Sequence, residues 1–389
     1  MENLHFQTNL YCTQKGLVGN ITKEELYTFI GINIFMGYHK LPAMKCYWMT
    51  AEDMGVPPVR TAMTRERFFY ILSNLHLNDN SKIDPTNKDK LYKIRPLTER
   101  LNNLFEKKRS PAEQVCVDES MIRFKGRSSL KQYNPMKPIK RGYKIWCLAD
   151  NDGYVYKFEV YIGKQNQGNT HKNLGLGGDV VMRLTAWLEG KNHKVTFDNF
   201  FSSVSLLEQL KVKKILACGT IRPNRKDFPE LAAEKNLKRG EFDFRCTSDG
   251  LSVYKWKDSK AVHFISNYHN IETDTVQRKQ KDGTKITVKC PKVVKDYNQN
   301  MGGVDKHDML RQLYGVNRKS LKWWHRLFFG FVDMTIVNAY VLHKENIDTP
   351  ISLLDFRRDL ALGLLTFAGS YKSSNNAKDA RVLTAFHLL

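Results

Sequence analysis

The middle of the chain alternates between short β-prone runs and stretches with helical spacing, and this order constrains the fold more than any other feature. A turn at 150–153 joins two of these β-prone runs, 143–149 and 154–161, as a hairpin. In chain order the predicted elements are strands over 114–122, 143–149 and 154–161, a helix over 179–189, a strand over 194–198, a helix from Ser202 or Ser203 to 210, and a strand over 214–221. This order predicts a mixed α/β domain.

Helical patterns flank this region on both sides. Thr64 is a predicted N-cap, and Pro96 is placed at the first turn of another helix. The helices predicted from apolar spacing cover 23–37, 65–77, 96–105, 304–314 and 323–342. Polar residues interrupt the last of these, so it is predicted to be a buried helix and not a membrane span.

Changes in composition and residue pattern along the chain predict domain boundaries. After residue 223 the pattern loosens into short strands with a basic, turn-rich stretch at 277–285, which indicates an insertion. The predicted divisions are a helical domain at 1–112, a sheet domain at 113–222, an insertion at 223–284, a second part of the sheet domain at 285–308, a second part of the helical domain at 309–368 and a polar tail at 369–389.

The charge of the chain points to a polyanionic partner. Lys and Arg number 62 against 40 Asp and Glu, which leaves a formal net charge of +22. Such a surface is attracted to phosphates because binding releases condensed counterions. Nucleic acid is therefore favoured over an anionic membrane surface, and an unspecialised basic surface is the remaining alternative.

Cysteine and histidine spacing argues against a zinc module or a disulfide framework. The seven cysteines lie far apart with no C-x-x-C pair, a pattern typical of a reducing compartment. His171, His193 and His325 have no zinc-like spacing, so core or surface positions are expected for them. The polar residues after Met1 do not match a signal peptide.

Four aspartates stand near the ends of predicted elements. Asp118 lies in an apolar strand, Asp198 ends another, and Asp305 and Asp308 share one face near the start of the helix predicted over 304–314. Phosphodiester chemistry often uses two divalent cations about 4 Å apart. Such cations need carboxylates from several elements, because magnesium prefers oxygen ligands. The four aspartates are therefore candidate metal ligands.

Each aspartate also has a purely structural alternative. Asp198 could cap the following helix, Asp305 could serve a helix dipole, and Asp118 could pair with a lysine. In combination with the strand order, however, the aspartates predict an RNase H-like sheet. In that fold the first and second carboxylates occupy neighbouring strands.

Six segments of the sequence together resemble those of a known protein family. They lie at 117–121, 125–127, 132–138, 198–201, 219–224 and 297–305. Through them, the chain resembles the piggyBac transposases and their host-domesticated derivatives, from about residue 22 to about residue 343.

The resemblance implies a fold and an activity. The fold is an RNase H-like (DDE/D) catalytic domain, split by the insertion and flanked by a helical dimerisation and DNA-binding domain built from both chain ends. The activity is cut-and-paste DNA transposition with Mg²⁺, for which Mn²⁺ can substitute. Water frees a 3′-hydroxyl at a transposon end, that hydroxyl attacks the opposite strand to form a hairpin, and the reopened end joins TTAA target DNA.

Roles for individual residues follow from the same resemblance. Asp118, Asp198 and Asp305 match the aspartates that bind two metal ions, and Asp308 matches a fourth that assists. The implied partners are double-stranded DNA and a second copy of the chain, with no membrane, and the implied compartment is the nucleus.

The expected DNA contacts are basic residues and one tryptophan. The full set is Lys125, Arg127, Lys137, Lys140, Arg141, Arg222, Arg225, Arg318, Lys319 and Trp323. Arg222 and Arg225 match positions that contact DNA near the site, and Trp323 matches an aromatic residue near the hairpin end. From spacing alone, the lysines could equally be a nuclear-import signal or a solvated face, an isolated arginine is usually a solvated charge, and Trp323 or Trp324 is expected in the core.

Two other functions remain open at this stage. A domesticated DNA-binding protein that has lost catalysis is the main alternative, and a resolvase-like nuclease is the third. The four aspartates favour the enzyme. The absence after Leu342 of the cysteine-rich zinc domain found in many relatives favours the binding protein, and the lack of a long acidic leader suggests a trimmed chain.

Overall fold

The structure, a computed structural model, describes residues 1–84, 86–163 and 173–366. His171 and the predicted polar tail at 369–389 lie outside the described residues. The chain divides into two units. Of the described residues, the helical unit comprises those within 1–109, 121–144 and 307–366, and the sheet unit comprises those within 110–120, 145–163 and 173–306.

The described helices are bounded as follows. In chain order they are α1 (Glu2–Gln14), α2 (Lys23–Tyr38), α3 (Pro57–Ala62), α4 (Arg65–Asn74), α5 (Arg95–Lys108), α6 (Gly175–Thr185), α7 (Val204–Val212), α8 (Lys292–Asn300), α9 (Gly303–Leu313), α10 (Trp323–Glu345) and α11 (Leu353–Thr366).

The described strands are bounded as follows. They are β1 (Gln114–Arg123), β2 (Gln132–Tyr133), β3 (Arg141–Asp150), β4 (Val155–Val160), β5 (Lys194–Phe197), β6 (Leu216–Thr220), β7 (Phe242–Cys246), β8 (Ser252–Lys257), β9 (Ala261–Ser266), β10 (Thr273–Lys279) and β11 (Lys285–Pro291).

Capping residues begin the helices of the helical unit where the sequence predicts. The Thr64 hydroxyl accepts a hydrogen bond from the backbone amide of Arg67 and starts α4. Thr22 and Glu25 bond reciprocally as a capping box at the start of α2. Pro96 lies in the first turn of α5. These three helix starts confirm the local predictions.

Helix α10 forms much of the core of the helical unit. Nearly all of its residues from Trp324 to Leu342 are buried, as predicted for the segment 323–342. Helix α2 packs closely on α11, since a Cβ added at Gly31 would lie 2.7 Å from the Cβ of Leu364. None of the helices in the described ranges combines the length and apolar character needed to cross a bilayer.

The sheet unit is built on one mixed sheet. Its strands lie in the order β3-β1-β5-β6-β9-β8-β7, and β4 pairs with β3. Strands β1, β5 and β6 are parallel, and β6, β9, β8 and β7 pair antiparallel. The predicted β3–β4 hairpin is confirmed, with Gly153 at positive φ and its amide bonded to the Asp150 carbonyl. None of the seven cysteines, all of which lie in the described residues, forms a disulfide.

Two parts of the sheet unit differ from the sequence predictions. Helix α6 begins at Gly175 and not at Asp179, because its glycines are packing residues: a Cβ at Gly177 would lie 2.7 Å from the Phe200 carbonyl oxygen. Strands β7, β8 and β9, from the predicted insertion at 223–284, extend the main sheet. Strands β10 and β11 pair with each other across the predicted boundary at residue 284.

Candidate active site

Asp118 and Asp198 lie at equivalent positions on neighbouring parallel strands. The last register pair between β1 and β5 is Val117 with Phe197, and each aspartate is the next residue of its chain. The two aspartates therefore follow the last pair at the same end of the ladder, and both carboxylates act on the pKa of Tyr297. Asp118 is only 8% exposed and directly follows the buried run Val115, Cys116 and Val117.

The turn after β5 fixes the backbone around Asp198. Its Oδ1 accepts a hydrogen bond from the Phe200 amide at 2.9 Å, and its carbonyl accepts one from the Ser202 hydroxyl at 3.1 Å. The cap of α7 is Ser203, whose hydroxyl accepts from the Leu206 amide. The alternative in which Asp198 caps that helix is therefore wrong.

The first turn of α9 reaches strand β1 through a glycine. A Cβ added at Gly303 would lie 2.2 Å from the Asp150 carbonyl oxygen and 2.9 Å from the Cys116 sulfur. Burial raises the pKa of the Cys116 thiol to about 12. Because Cys116 is two residues before Asp118, this contact brings the turn that carries Asp305 to the same strand. Asp305 itself is exposed.

Tyr297 on α8 is a site residue that the sequence did not single out. Its phenol lies near the side chain of Thr220, at the end of β6. Burial raises the pKa of Tyr297 to about 12, and the carboxylates of Asp198 and Asp118 act in the same direction. The phenol therefore stays neutral beside the two acids. Its only signal in the sequence is its place at the start of the segment 297–305.

Helix α8 is anchored to the sheet by a buried chain of hydrogen bonds. The His269 ring bonds through Nδ1 to the Ser266 hydroxyl and through Nε2 to the Asp296 carboxylate, both at 2.8 Å. Ser266 is fully buried, and its hydroxyl accepts from the amides of Tyr268 and His269. The three side chains therefore position α8 and do not form a hydrolytic triad.

Arg222 and Arg225 hold the loop that follows Asp198. Arg222 Nε donates to Asn199 Oδ1 at 3.0 Å, and Arg225 Nη2 donates to the carbonyls of Asn199 and Phe200 at 2.9 Å. Burial and the neighbouring Arg222 lower the pKa of Arg225, while Asp198 opposes that shift. Neither arginine is simply a solvated charge, since both are built into the edge of the site.

Asp308 belongs to the helical unit and has a different setting from the other three aspartates. Its carboxylate pairs with Arg311 at 2.8 Å, and Arg311 also donates to the Met121 carbonyl. Both side chains are buried. The assisting role implied for Asp308 stays a prediction.

The remaining predicted DNA contacts lie in the helical unit. Lys125, Arg127, Lys140 and Arg141 are exposed and Lys137 is half-buried. Arg141 lies over the ring of Tyr133, which is 61% exposed. This segment thus presents a basic surface with an aromatic side chain, which suits a nucleic-acid backbone.

The second basic group surrounds the start of α10. Trp324 is buried and Trp323 is half-buried, which confirms that one of the pair is core. Arg318 stacks on Phe329 at 4.3 Å, and burial lowers the pKa of Arg318 to about 9. Lys319 is exposed. Arg318 is therefore a half-buried side chain held against Phe329 and not a freely solvated charge.

The acidic group suits a hard cation by its chemistry. Asp118, Asp198 and Asp305 all belong to the sheet unit and offer only carboxylate oxygens, the donors that Mg²⁺ and Mn²⁺ prefer. In the part of the chain that the structure describes, no three His, Cys, Asp or Glu side chains are arranged as the ligands of one ion. The structure brings Asp118 and Asp198 to the same end of β1 and β5, and it packs the helix turn that carries Asp305 against β1.

Comparisons with known proteins agree with this fold. A family model described as transposase IS4 matches residues 1–340. The human PiggyBac transposable element-derived protein 3 is 36% identical over 360 residues, which cover 90% of this chain and 60% of that protein. The human PiggyBac transposable element-derived protein 2 is 33% identical over 368 residues, covering 91% of this chain and 61% of that protein. The chain spans less than two thirds of either relative.

A solved structure gives the same result. The cryo-EM structure of a piggyBac transposase synaptic complex with hairpin DNA matches with a TM-score of 0.81 at 22% identity, covering 99% of this chain and 82% of that one. The fold is therefore the mixed α/β fold of a transposase. The chain belongs to the transposase IS4 family and is a piggyBac-type member of it.

Proposed function

We propose that this chain is a metal-dependent DNA transposase that cuts transposon ends and joins them to TTAA target DNA through a hairpin intermediate. The observation that supports the proposal is that Asp118 and Asp198 each follow the last paired residue of the parallel strands β1 and β5, with the turn of Asp305 packed against β1. We assign these three aspartates to an RNase H-like active site, with Asp308 in an assisting role.

Two divalent cations, when bound, would activate the attacking oxygen and stabilise the leaving oxygen. The residues of the chain hold and orient the groups around them. Asp118, Asp198 and Asp305 supply the oxygen ligands, and Arg222 and Arg225 fix the loop beside Asp198. Tyr297 stays protonated at working pH and can donate a hydrogen bond beside the carboxylates.

The basic residues of the helical unit are assigned to DNA backbone contacts. They are Lys125, Arg127, Lys137, Lys140, Arg141 and Lys319, and the aromatic Trp323 is assigned to the DNA end. Arg222 and Arg225 take phosphates in the sheet unit, and Arg318 supports its exposed neighbour Lys319 from within. We further propose that the chain acts as a homodimer and in the nucleus, where its DNA substrate lies.

Cleavage of labelled duplexes carrying candidate transposon ends tests the proposal. Asp118→Asn, Asp198→Asn and Asp305→Asn should each reduce cleavage by about 10³-fold or more, because each removes a ligand of the reacting cations. DNA binding should survive better than cutting, since the phosphate contacts lie elsewhere. Cleavage that persists in all three variants would remove the proposal.

A second function has support of its own. Two of the relatives are human proteins named as transposable element-derived, and no three acids are arranged as the ligands of one ion in the described residues. Both facts fit a domesticated DNA-binding protein without catalysis. Such a protein binds the same duplexes but shows no metal binding that depends on Asp118 and Asp198. A resolvase-like nuclease would instead release cut ends without joining them to TTAA.

A further inference from the structure

Strands β10 and β11 form a two-stranded ribbon with two very different faces. Its register pairs Thr275 with Lys289, Gln277 with Thr287, and Lys279 with Lys285 on one face. Those six residues are all exposed. We call them, together with Lys281 at the turn, the outer face of the ribbon.

The inner face holds the ribbon in place. Val276 and Val288 belong to a buried cluster that also includes Trp256 of β8. Arg278 lies over the Trp256 ring and pairs with Asp258 at 2.7 Å. The ribbon is therefore a fixed part of the sheet unit, and its outer face is presented in one orientation.

The outer face is basic and without acidic residues. Among the residues that the structure describes, Lys279, Lys281, Lys285 and Lys289 form no ion pair with a carboxylate. Lysines on the adjoining helix behave differently. Lys292 pairs with Glu272 at 2.6 Å and Lys295 pairs with Asp274 at 2.9 Å.

Such a face is unfavourable for the isolated chain. Lys279 and Lys285 are directly opposite in the register, and like charges at opposed positions destabilise a ribbon. The acid in the turn, Asp282, is engaged by the amide and hydroxyl of Thr284. The arrangement becomes favourable when a polyanion lies along the ribbon.

We propose that the outer face of the β10–β11 ribbon is a DNA-binding surface that contacts the phosphates of a duplex. A two-stranded ribbon fits the major groove of B-DNA, so lysines on its exposed face can reach the flanking phosphates. Gln277 and Thr287, hydrogen-bonded to each other at 2.8 Å, form the polar centre of this face. The surface rests on the proposed function for its partner, DNA, but requires no cleavage.

The test compares two variants that lose the same charge. One carries Lys279→Gln, Lys285→Gln and Lys289→Gln, and the control carries Lys45→Gln, Lys82→Gln and Lys88→Gln, three exposed lysines of the helical unit. Fluorescence anisotropy on two unrelated labelled duplexes, across a salt series, gives the affinity and its salt dependence. Melting curves establish that both variants fold.

The ribbon variant should bind both duplexes roughly tenfold or more weakly, and its slope of log affinity against log salt should be about 3 units shallower. The control should change much less. Equal behaviour of the two variants, or loss on only one duplex, would overturn the proposal. So would unchanged DNA binding with loss of binding to phosphatidylserine vesicles.

This result is separable from the catalytic proposal. If the ribbon variant loses affinity while Asp118→Asn still cuts DNA, the ribbon stands and the catalytic assignment falls. If Asp118→Asn abolishes cutting while the ribbon variant binds like the control, the catalytic assignment stands and the ribbon proposal falls.

Discussion

Two aspartate pairs, one pair in each unit, differ in the side chains placed next to them. In the helical unit each of two acids has an arginine partner: Asp308 pairs with Arg311 at 2.8 Å and Asp333 pairs with Arg357 at 2.9 Å. In the sheet unit, Asp118 and Asp198 are set beside each other on adjacent strands. Removing one partner of a buried ion pair leaves an uncompensated charge and is strongly destabilising, whereas carboxylates brought close together disfavour each other's ionised form and are common at functional sites.

The largest expected stability effect comes from breaking an arginine pair. Arg357 is fully buried, and Asp333 accepts from both Arg357 and the Val316 amide. Asp333→Ala leaves a buried cation without its partner and should lower the free energy of unfolding by about 3–5 kcal/mol. Urea denaturation measures this value.

The variant to compare with Asp333→Ala is Asp118→Asn, in strand β1 of the sheet unit. It keeps the side-chain volume and removes one of two neighbouring charges, so its free energy of unfolding should change much less than that of Asp333→Ala. A destabilisation as large as that of Asp333→Ala would erase the contrast between the two regions.

Acid pH should weaken the helical unit through a buried histidine. Burial, followed by Arg318 and Lys322, lowers the pKa of His325 to about 2. The unfolded chain therefore binds a proton below about pH 6.5 that the folded chain does not, and stability is lost as pH falls. From pH 7 to pH 5 this one group removes about 2 kcal/mol.

His325→Gln should make urea unfolding less dependent on pH over this interval. A wild-type slope that the substitution leaves unchanged would show that His325 does not carry the effect.

A modest stability effect is expected at the glycine that brings the turn of Asp305 to the sheet. Gly303→Ala places a Cβ against the Asp150 carbonyl and should cost roughly 1–2 kcal/mol while displacing the first turn of α9. Gly302→Ala is its control, because no atom lies within 4 Å of the added Cβ.

The two glycine variants also separate stability from function. Cleavage should fall in Gly303→Ala and persist in Gly302→Ala. Equal activity in the two variants would mean that the close approach does not position Asp305.

Local signals predicted much of this fold. Thr64, Pro96 and the turn at 150–153 act through their own backbone chemistry, so their effects can be inferred from short windows of sequence. Tertiary packing decided the start of α6, where Gly177 lies inside the helix because the Phe200 backbone leaves no room for a side chain. Propensity alone could not show that contact.

The ribbon and Tyr297 are two features whose place in the structure the sequence did not predict. Lys279 and Lys285 looked like part of a basic, turn-rich stretch, because the buried face of the ribbon contributes few apolar residues to the pattern. Tyr297 gained its place only through the long-range contact of α8 with β6. The neighbouring positions of Asp118 and Asp198 were predicted from the strand order, and the four-aspartate ligand set remains a prediction.

The most direct test of the central claim is calorimetric titration of the protein with Mn²⁺. The wild type and Asp249→Asn, an exposed control in the same unit, should bind the ion equally, whereas Asp118→Asn with Asp198→Asn should abolish binding. Binding that is unchanged in the double variant, or absent from the wild type, would contradict a metal site at the edge of β1 and β5.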